Sequence, residues 1–133
     1  MIAQITYKEY EELTVINGNN IAEFVNLLKK EDIEWIELIS GSYDEFKELL
    51  TSIEPKNTKK VQRALDVDLE LMEAEDFLNN STDLRTTNTA NKLILKTTKK
   101  LEDITNSMKA RELMSFCDLC GGDVVDYLNV TIY

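Results

Sequence analysis

Thr58-Lys59-Lys60-Val61-Gln62-Arg63-Ala64-Leu65-Asp66-Val67-Asp68-Leu69-Glu70-Leu71-Met72-Glu73-Ala74-Glu75-Asp76-Phe77-Leu78 decides how this chain is read, because two periodicities compete inside it. Asp66 to Leu71 alternates strictly between acid and aliphatic, as a half-buried strand does. Val61, Ala64, Leu65, Asp68, Leu69 and Met72 fit helical spacing equally well, and Glu-Leu-Met-Glu-Ala-Glu is strong helix-forming material. Both flanks are helical in character, so the stretch is predicted to be a helix over about 58–78. The choice bears on chemistry. On a strand, Asp66, Asp68 and Glu70 would project together and could hold Mg²⁺ or Mn²⁺ through oxygen ligands. On a helix they fan apart and that geometry disappears.

Downstream, Asn79-Asn80-Ser81-Thr82 breaks the pattern, and Asn88 or Thr89 is placed to cap a second long helix over about 89–114. Its apolar stripe is Leu93, Ile94, Thr97, Leu101, Ile104 and Met108. The two helices are expected to form an αα-hairpin. Upstream, Met1 to Thr6 alternates as a short strand, and Ile33-Glu34-Trp35-Ile36-Glu37-Leu38-Ile39 is β-branched and aromatic, again a strand. Thr6 with Glu9 resembles a capping box, which predicts a short helix over Tyr7–Leu13. Asn20 with Glu23 and Ser42 with Glu45 are two more such boxes. They open helices that turn Ile21, Phe24, Val25 and Leu28, and then Phe46, Leu49 and Leu50, inward. After Gly121-Gly122, Val124 to Tyr133 reads as a terminal strand with Val124, Leu128, Val130 and Ile132 on one face. The expectation is a single α+β domain over 1–133: a small sheet from strands near 1–6, 33–39 and 124–133, with the hairpin on or beside it.

Charge is the second organising feature. The net charge is −10, and the signs are segregated. From Ala64 to Leu84 there are seven acids and no base, whereas Arg85 to Arg111 carries seven bases against Glu102 and Asp103. A strongly acidic surface repels nucleic acid and lipid headgroups and attracts basic proteins. Lys92, Lys96, Lys99 and Lys100 form a stripe on the second helix, but no aromatic accompanies it for stacking. Pairing of that stripe with the acids of the first helix is the simpler account, so direct nucleic-acid binding is not expected.

The chain has no histidine, which removes the commonest general base and the Ser-His and Cys-His dyads. No enzymatic activity is expected, and no cofactor. Cys117-Asp118-Leu119-Cys120-Gly121-Gly122 is the one motif-like element. Two thiolates without further Cys or His make poor company for structural zinc within one chain, although a four-thiolate site shared across a two-fold dimer would close the shell. Redox chemistry wants such a pair at a helix N-terminus. The plainer expectation is a turn at a helix end holding two small half-buried residues, with Cys117 and Cys120 the only candidate metal ligands and no stoichiometric zinc. No apolar run approaches a membrane span, and no basic region precedes an apolar segment at residues 1–4, so a cytoplasmic protein is expected.

What remains is function by binding. Small, acidic, motif-poor chains of this character look like phage or mobile-element inhibitors of host nucleases, anti-CRISPR proteins among them, whose carboxylates can occupy a basic nucleic-acid groove. An immunity or antitoxin protein capping a basic toxin would use the same electrostatics, and a zinc or redox domain is the third class. The expected partner is a basic nucleic-acid-handling protein. Two acidic clusters are candidates for its recognition: Asp66, Asp68, Glu70, Glu73, Glu75 and Asp76, and then Glu31, Asp32, Glu34 and Glu37 around Trp35. Trp35 and the tyrosines are the candidate aromatic anchors. The oligomeric state is not legible in the sequence.

Overall fold

The computed structural model describes residues 1–30 and 32–133. The stretch read as ambiguous is helical: α3 runs Lys59–Asn79, capped by Thr58, whose side chain accepts from Val61 N. Its burial decides against a strand. Val67 is 3% exposed while Leu69, two positions on and on the same side of any strand, is 57% exposed. Val61, Ala64, Val67 and Ala74 instead recur at helical spacing and are buried. The order of elements before it is β1 (Ile2–Tyr7), β2 (Glu11–Val15), α1 (Ile21–Lys30), β3 (Ile33–Ser40) and α2 (Tyr43–Leu50). After it come α4 (Leu84–Asn106), α5 (Ala110–Cys120), a 3₁₀ turn (Val124–Tyr127) and β4 (Thr131–Ile132).

The architecture is α+β, with a four-stranded mixed sheet in the order β2-β1-β3-β4. β1 pairs antiparallel with β2 and β3, and β3 pairs parallel with β4. Ala3, Ile5 and Tyr7 of β1 and Ile36 of β3 point to the same side. They join Phe24, Val25, Leu28, Phe46, Leu113 and Phe116 of the helices in one buried cluster. Phe24 meets Phe46 edge to face at 6.3 Å, and Phe116 meets Tyr127 the same way at 5.5 Å. α3 and α4 pack against each other as the expected hairpin. Ala74 and Ala90 are buried there, outside the main cluster, so small side chains close the outer part of the hairpin.

Four expectations are corrected. Tyr7–Leu13 is not helical: the Tyr7 N–H donates to Tyr10 O at 2.9 Å, and the Tyr7 and Tyr10 rings stack at 4.4 Å. This turn sends Glu11–Val15 back along β1, with Leu13 opposite Gln4 and Val15 opposite Ile2. A local Thr-x-x-Glu match without an apolar stripe behind it lost to cross-strand pairing.

The second correction is the 124–133 strand, which is reduced to Thr131–Ile132. Val124 and Leu128 are four residues apart, a spacing that satisfies both period 2 and period 3.6, and both are buried beside a 3₁₀ turn. The Asp123 carboxylate accepts from Val125 N at 3.1 Å to start that turn.

The third is the 89–114 helix, which begins earlier, at Leu84. Asp83 rather than Asn88 or Thr89 caps it, accepting from Thr86 N at 2.8 Å and Thr86 Oγ1 at 3.0 Å. These bonds hold the Asp83 carboxyl below the ordinary carboxylate value. The helix also stops at Asn106. Met108 turns into the core, and Ala110 N donates to Asn26 Oδ1 of α1 at 2.7 Å as α5 starts in a new direction.

Fourth, Cys117 is buried rather than half-buried, although with Cys120 it lies in the last turn of α5, the helix-end turn expected for the pair. Gly121, at φ 76°, ends that helix in the left-handed conformation, and its N–H donates to Cys117 O at 2.9 Å. Of the capping boxes, Ser42 caps α2 by accepting from Glu45 N at 3.2 Å. Asn20 instead closes the preceding turn, accepting from Asn17 N and donating to Val15 O.

Candidate partner-binding surfaces

Helix geometry distributes the acids of α3. At about 100° per residue, Asp66, Glu70, Glu73 and Asp76 fall on one outward arc, and Asp68 and Glu75 fall on the other flank. Contacts mark the two flanks. Glu70 pairs with Lys100 of α4 at 3.6 Å. Burial is the main cause that raises Cys120 and Tyr127, and Asp68 lies near enough to α5 and the turn after it to add to both. The six acids therefore do not share a face, and the Asp66–Asp68–Glu70 oxygen cluster of a strand is absent. The outward arc is about 15 Å long, at a rise of 1.5 Å per residue. That is a charge about every 5 Å, against a phosphate about every 3.4 Å on one DNA strand. Leu69 and Phe77 lie on the same arc and are exposed.

The acid-to-base pairing expected within the hairpin is thin. Among the described residues, Glu70–Lys100 is the one ion pair that joins α3 to α4, and Lys99–Asp103, at 3.7 Å, lies within α4. Both are exposed and worth at most about 1 kcal/mol. Several bases gather near the start of α3 instead: Lys59, Lys60, Arg63 and Lys100 line an open cavity of about 430 Å³ with Asp103 at its rim. Lys60 Nζ donates to Ser107 O at 3.0 Å there.

The second candidate cluster is also divided. Glu31 lies outside the described residues. Asp32 is exposed just before β3. On β3, Trp35 and Glu37 project to one side of the sheet, while Glu34 is the unpaired residue of a bulge between the Trp35–Thr6 and Ile33–Tyr7 pairs and is exposed. Trp35 stands opposite Thr6, and Glu37 stands opposite Gln4. Gln4 Nε2 donates to Glu11 Oε2 of β2 at 2.6 Å, which puts Glu11 on the same side. Leu13, Val15, Ile2 and Tyr133 join them there, all exposed. Sequence reasoning missed Leu13, Val15 and Ile2 as surface residues, although it named Tyr133 among the aromatic anchors. The alternation in β1 and β3 separated the two faces, but not which of them the helices leave bare.

The thiols sit in an apolar setting. Burial first, then Cys120 and the acids Asp123, Asp118 and Asp126, push the Cys117 thiol up to about 12. Burial raises Cys120 as well. Both conditions work against thiolate chemistry. Next to the pair, Lys47 Nζ meets Asp123 Oδ2 at 3.0 Å, and this bond holds the Asp123 carboxyl below its ordinary value. Among the described residues, no three Cys, Asp or Glu side chains are grouped to hold a metal ion. Lys29 of α1 is half-buried and donates to Tyr127 O at 3.2 Å, and burial lowers its pKa. That bond anchors the 3₁₀ turn, and no acid is paired with this lysine among the described residues. Among the same residues, no helix is long and apolar enough to cross a membrane.

Compared with protein families, with curated proteins and with solved structures, the chain shows no match.

Proposed function

We propose that this protein acts by binding rather than by catalysis, as an inhibitor of a basic nucleic-acid-handling protein. The observation that carries the reading is the outward arc of α3. Asp66, Glu70, Glu73 and Asp76 are all exposed, and of these only Glu70 meets a base among the described residues. In water, carboxylates left unpaired on a stable helix add nothing to the fold and project a negative field from it. Leu69 and Phe77 on the same arc supply apolar contact that a merely solvated face does not need.

Such a surface competes for a groove built to hold phosphates. The carboxylates replace the phosphate charge, and the two apolar side chains exclude water from the contact. Encounter is steered by the whole net charge of −10 and weakens as salt shortens the screening length to about 8 Å at physiological ionic strength.

The test is capture of the partner from cells, followed by association kinetics with the purified pair. The triple variant Asp66→Lys, Glu73→Lys, Asp76→Lys leaves Glu70–Lys100 intact. It should slow association at least 10-fold at low salt while the melting curve stays near wild type. A partner with an acidic surface, or an association rate indifferent to both salt and the reversals, overturns the reading. A toxin as the captured partner would turn it to an immunity protein.

A further inference from the structure

The sheet is covered on one side only. Ala3, Ile5, Tyr7 and Ile36 point into the helices, and the opposite side carries Ile2, Leu13, Val15, Trp35 and Tyr133, each between 38% and 70% exposed. Register brings them together. Val15 is opposite Ile2, and Leu13 lies across Gln4 from Glu37. Tyr133 is held beside Glu37 by the hydrogen bonds Tyr133 N to Ile36 O, 2.8 Å, and Leu38 N to Tyr133 O, 3.0 Å. Five large apolar side chains on one bare sheet face form the kind of contiguous patch that marks an interaction site.

Charge selects the occupant. The strands carry Glu11, Glu12, Glu34 and Glu37 and no lysine or arginine at all. Glu11 and Glu37 stand within the apolar patch itself. Stacking two copies face to face would oppose these carboxylates across a dry contact, between two molecules each at −10. A helix packed across a sheet is the usual way to cover its second face, and lysine or arginine flanking its apolar stripe can lay their stems along the patch and carry charge to the glutamates.

We infer that the bare sheet face of β2-β1-β3-β4 is the docking surface for a basic amphipathic helix of a partner protein. The inference rests on the reading of the chain as a binder of a basic partner and divides the work between two surfaces. α3 steers encounter through its field, and the sheet face holds the complex through buried apolar contact, which sets dissociation.

Trp35 is the one tryptophan of the chain and stands in the patch, so its fluorescence reports occupancy directly. The probe is a helical peptide of leucine and lysine. Oligolysine of equal charge and a leucine–glutamine helix serve as controls. The leucine–lysine helix should blue-shift Trp35 and bind at least 10-fold tighter than either control. Leu13→Thr with Val15→Thr, and separately Ile2→Thr, retain strand propensity and should each weaken that peptide while leaving oligolysine binding unchanged. The α3 triple reversal should weaken both basic peptides alike.

Equal binding of oligolysine and the leucine–lysine helix, no Trp35 shift, or no effect of either threonine variant overturns the inference. A dimer mass by light scattering, with Trp35 already buried, also overturns it, by assigning the face to a second copy. None of these outcomes touches the salt and charge-reversal test of α3 with a captured partner, so the two readings fail separately.

Discussion

Glu112 ties together the starts of two helices, and its removal should show in both stability and pH dependence. Its Oε2 accepts from Thr58 Oγ1, the cap of α3, at 2.6 Å, and its Oε1 accepts from Lys109 N, just before α5, at 3.2 Å. Thr58 Oγ1 in turn accepts from Val61 N at 3.4 Å. A hydrogen bond to a charged group contributes about 1.5–3 kcal/mol when shielded, and solvent reaches this carboxylate, so about 0.5–1 kcal/mol per bond is the working value. Glu112→Ala should then cost about 1–2 kcal/mol at pH 7, or a fall in Tm of roughly 3–8 °C for a chain of this size. Glu112→Gln keeps one acceptor oxygen and should cost about half as much.

The sign of the pH dependence follows from the same contacts. Burial opposes the charged form, yet the bonds from Thr58 and Lys109 prevail and hold the Glu112 carboxyl below its ordinary value of 4.5. The stabilisation is therefore present in full above the unfolded-state value and is lost as pH falls through the folded-state one. Urea melts of wild type and Glu112→Gln should differ at pH 7, and the gap should narrow as pH falls below the unfolded-state value towards the lower folded-state one. A gap that stays constant from pH 7 to pH 3, or no gap at pH 7, refutes the assignment.

Two further outcomes check other parts of the structure. Cys117 is buried, with its thiol pushed up to about 12, so alkylation by iodoacetamide at pH 8 should modify the half-buried Cys120 first, with Cys117 reacting only on unfolding, as mass spectrometry of timed samples would read. Faster labelling of Cys117 would contradict its placement on the inner side of α5. Ala74→Leu inserts a large side chain where the hairpin closes on small ones and should cost about 1–3 kcal/mol in thermal melts, whereas the same change at exposed Glu75 should be nearly neutral.

The hairpin, β1, β3, α1 and α2 were legible because each carries a period that its burial obeys. Phe24, Val25 and Leu28 fall on one helical face, and Ala3 and Ile5 fall on one strand face. What escaped depends on partners distant in sequence. β2 exists because β1 is there to pair with, and its own residues, Glu-Glu-Leu-Thr-Val, bury almost nothing. The break between α4 and α5 depends on Asn26, 84 residues away, accepting from Ala110 N. No local breaker marks it: Ser107, Met108 and Lys109 contain neither proline nor glycine. At the other end, Val124 and Leu128 could satisfy two periods at once, and the Asp123 cap chose between them.

The candidate surfaces were legible to the degree that charge is additive and face is not. A net charge sums along the sequence whatever the fold, so the attraction for a basic partner needs no coordinates. Which carboxylates act together depends on rotation about α3, and there Glu70 faces Lys100 while Asp68 faces Cys120. The apolar patch is harder still to read, because an alternating strand looks the same whether its second face is packed or bare. Trp35 and Ile36 are adjacent in sequence and both favour burial, yet Ile36 is fully buried and Trp35 is not. The helices fill one side of the sheet only, so an aromatic that composition would assign to the core is left part-exposed. Trp35 lies between Thr6 and Thr131 and near Glu37, and part of its ring surface remains in water. Covering that remainder is what the basic helix proposed above would supply, and the glutamates beside Trp35 are the reason for proposing a basic one.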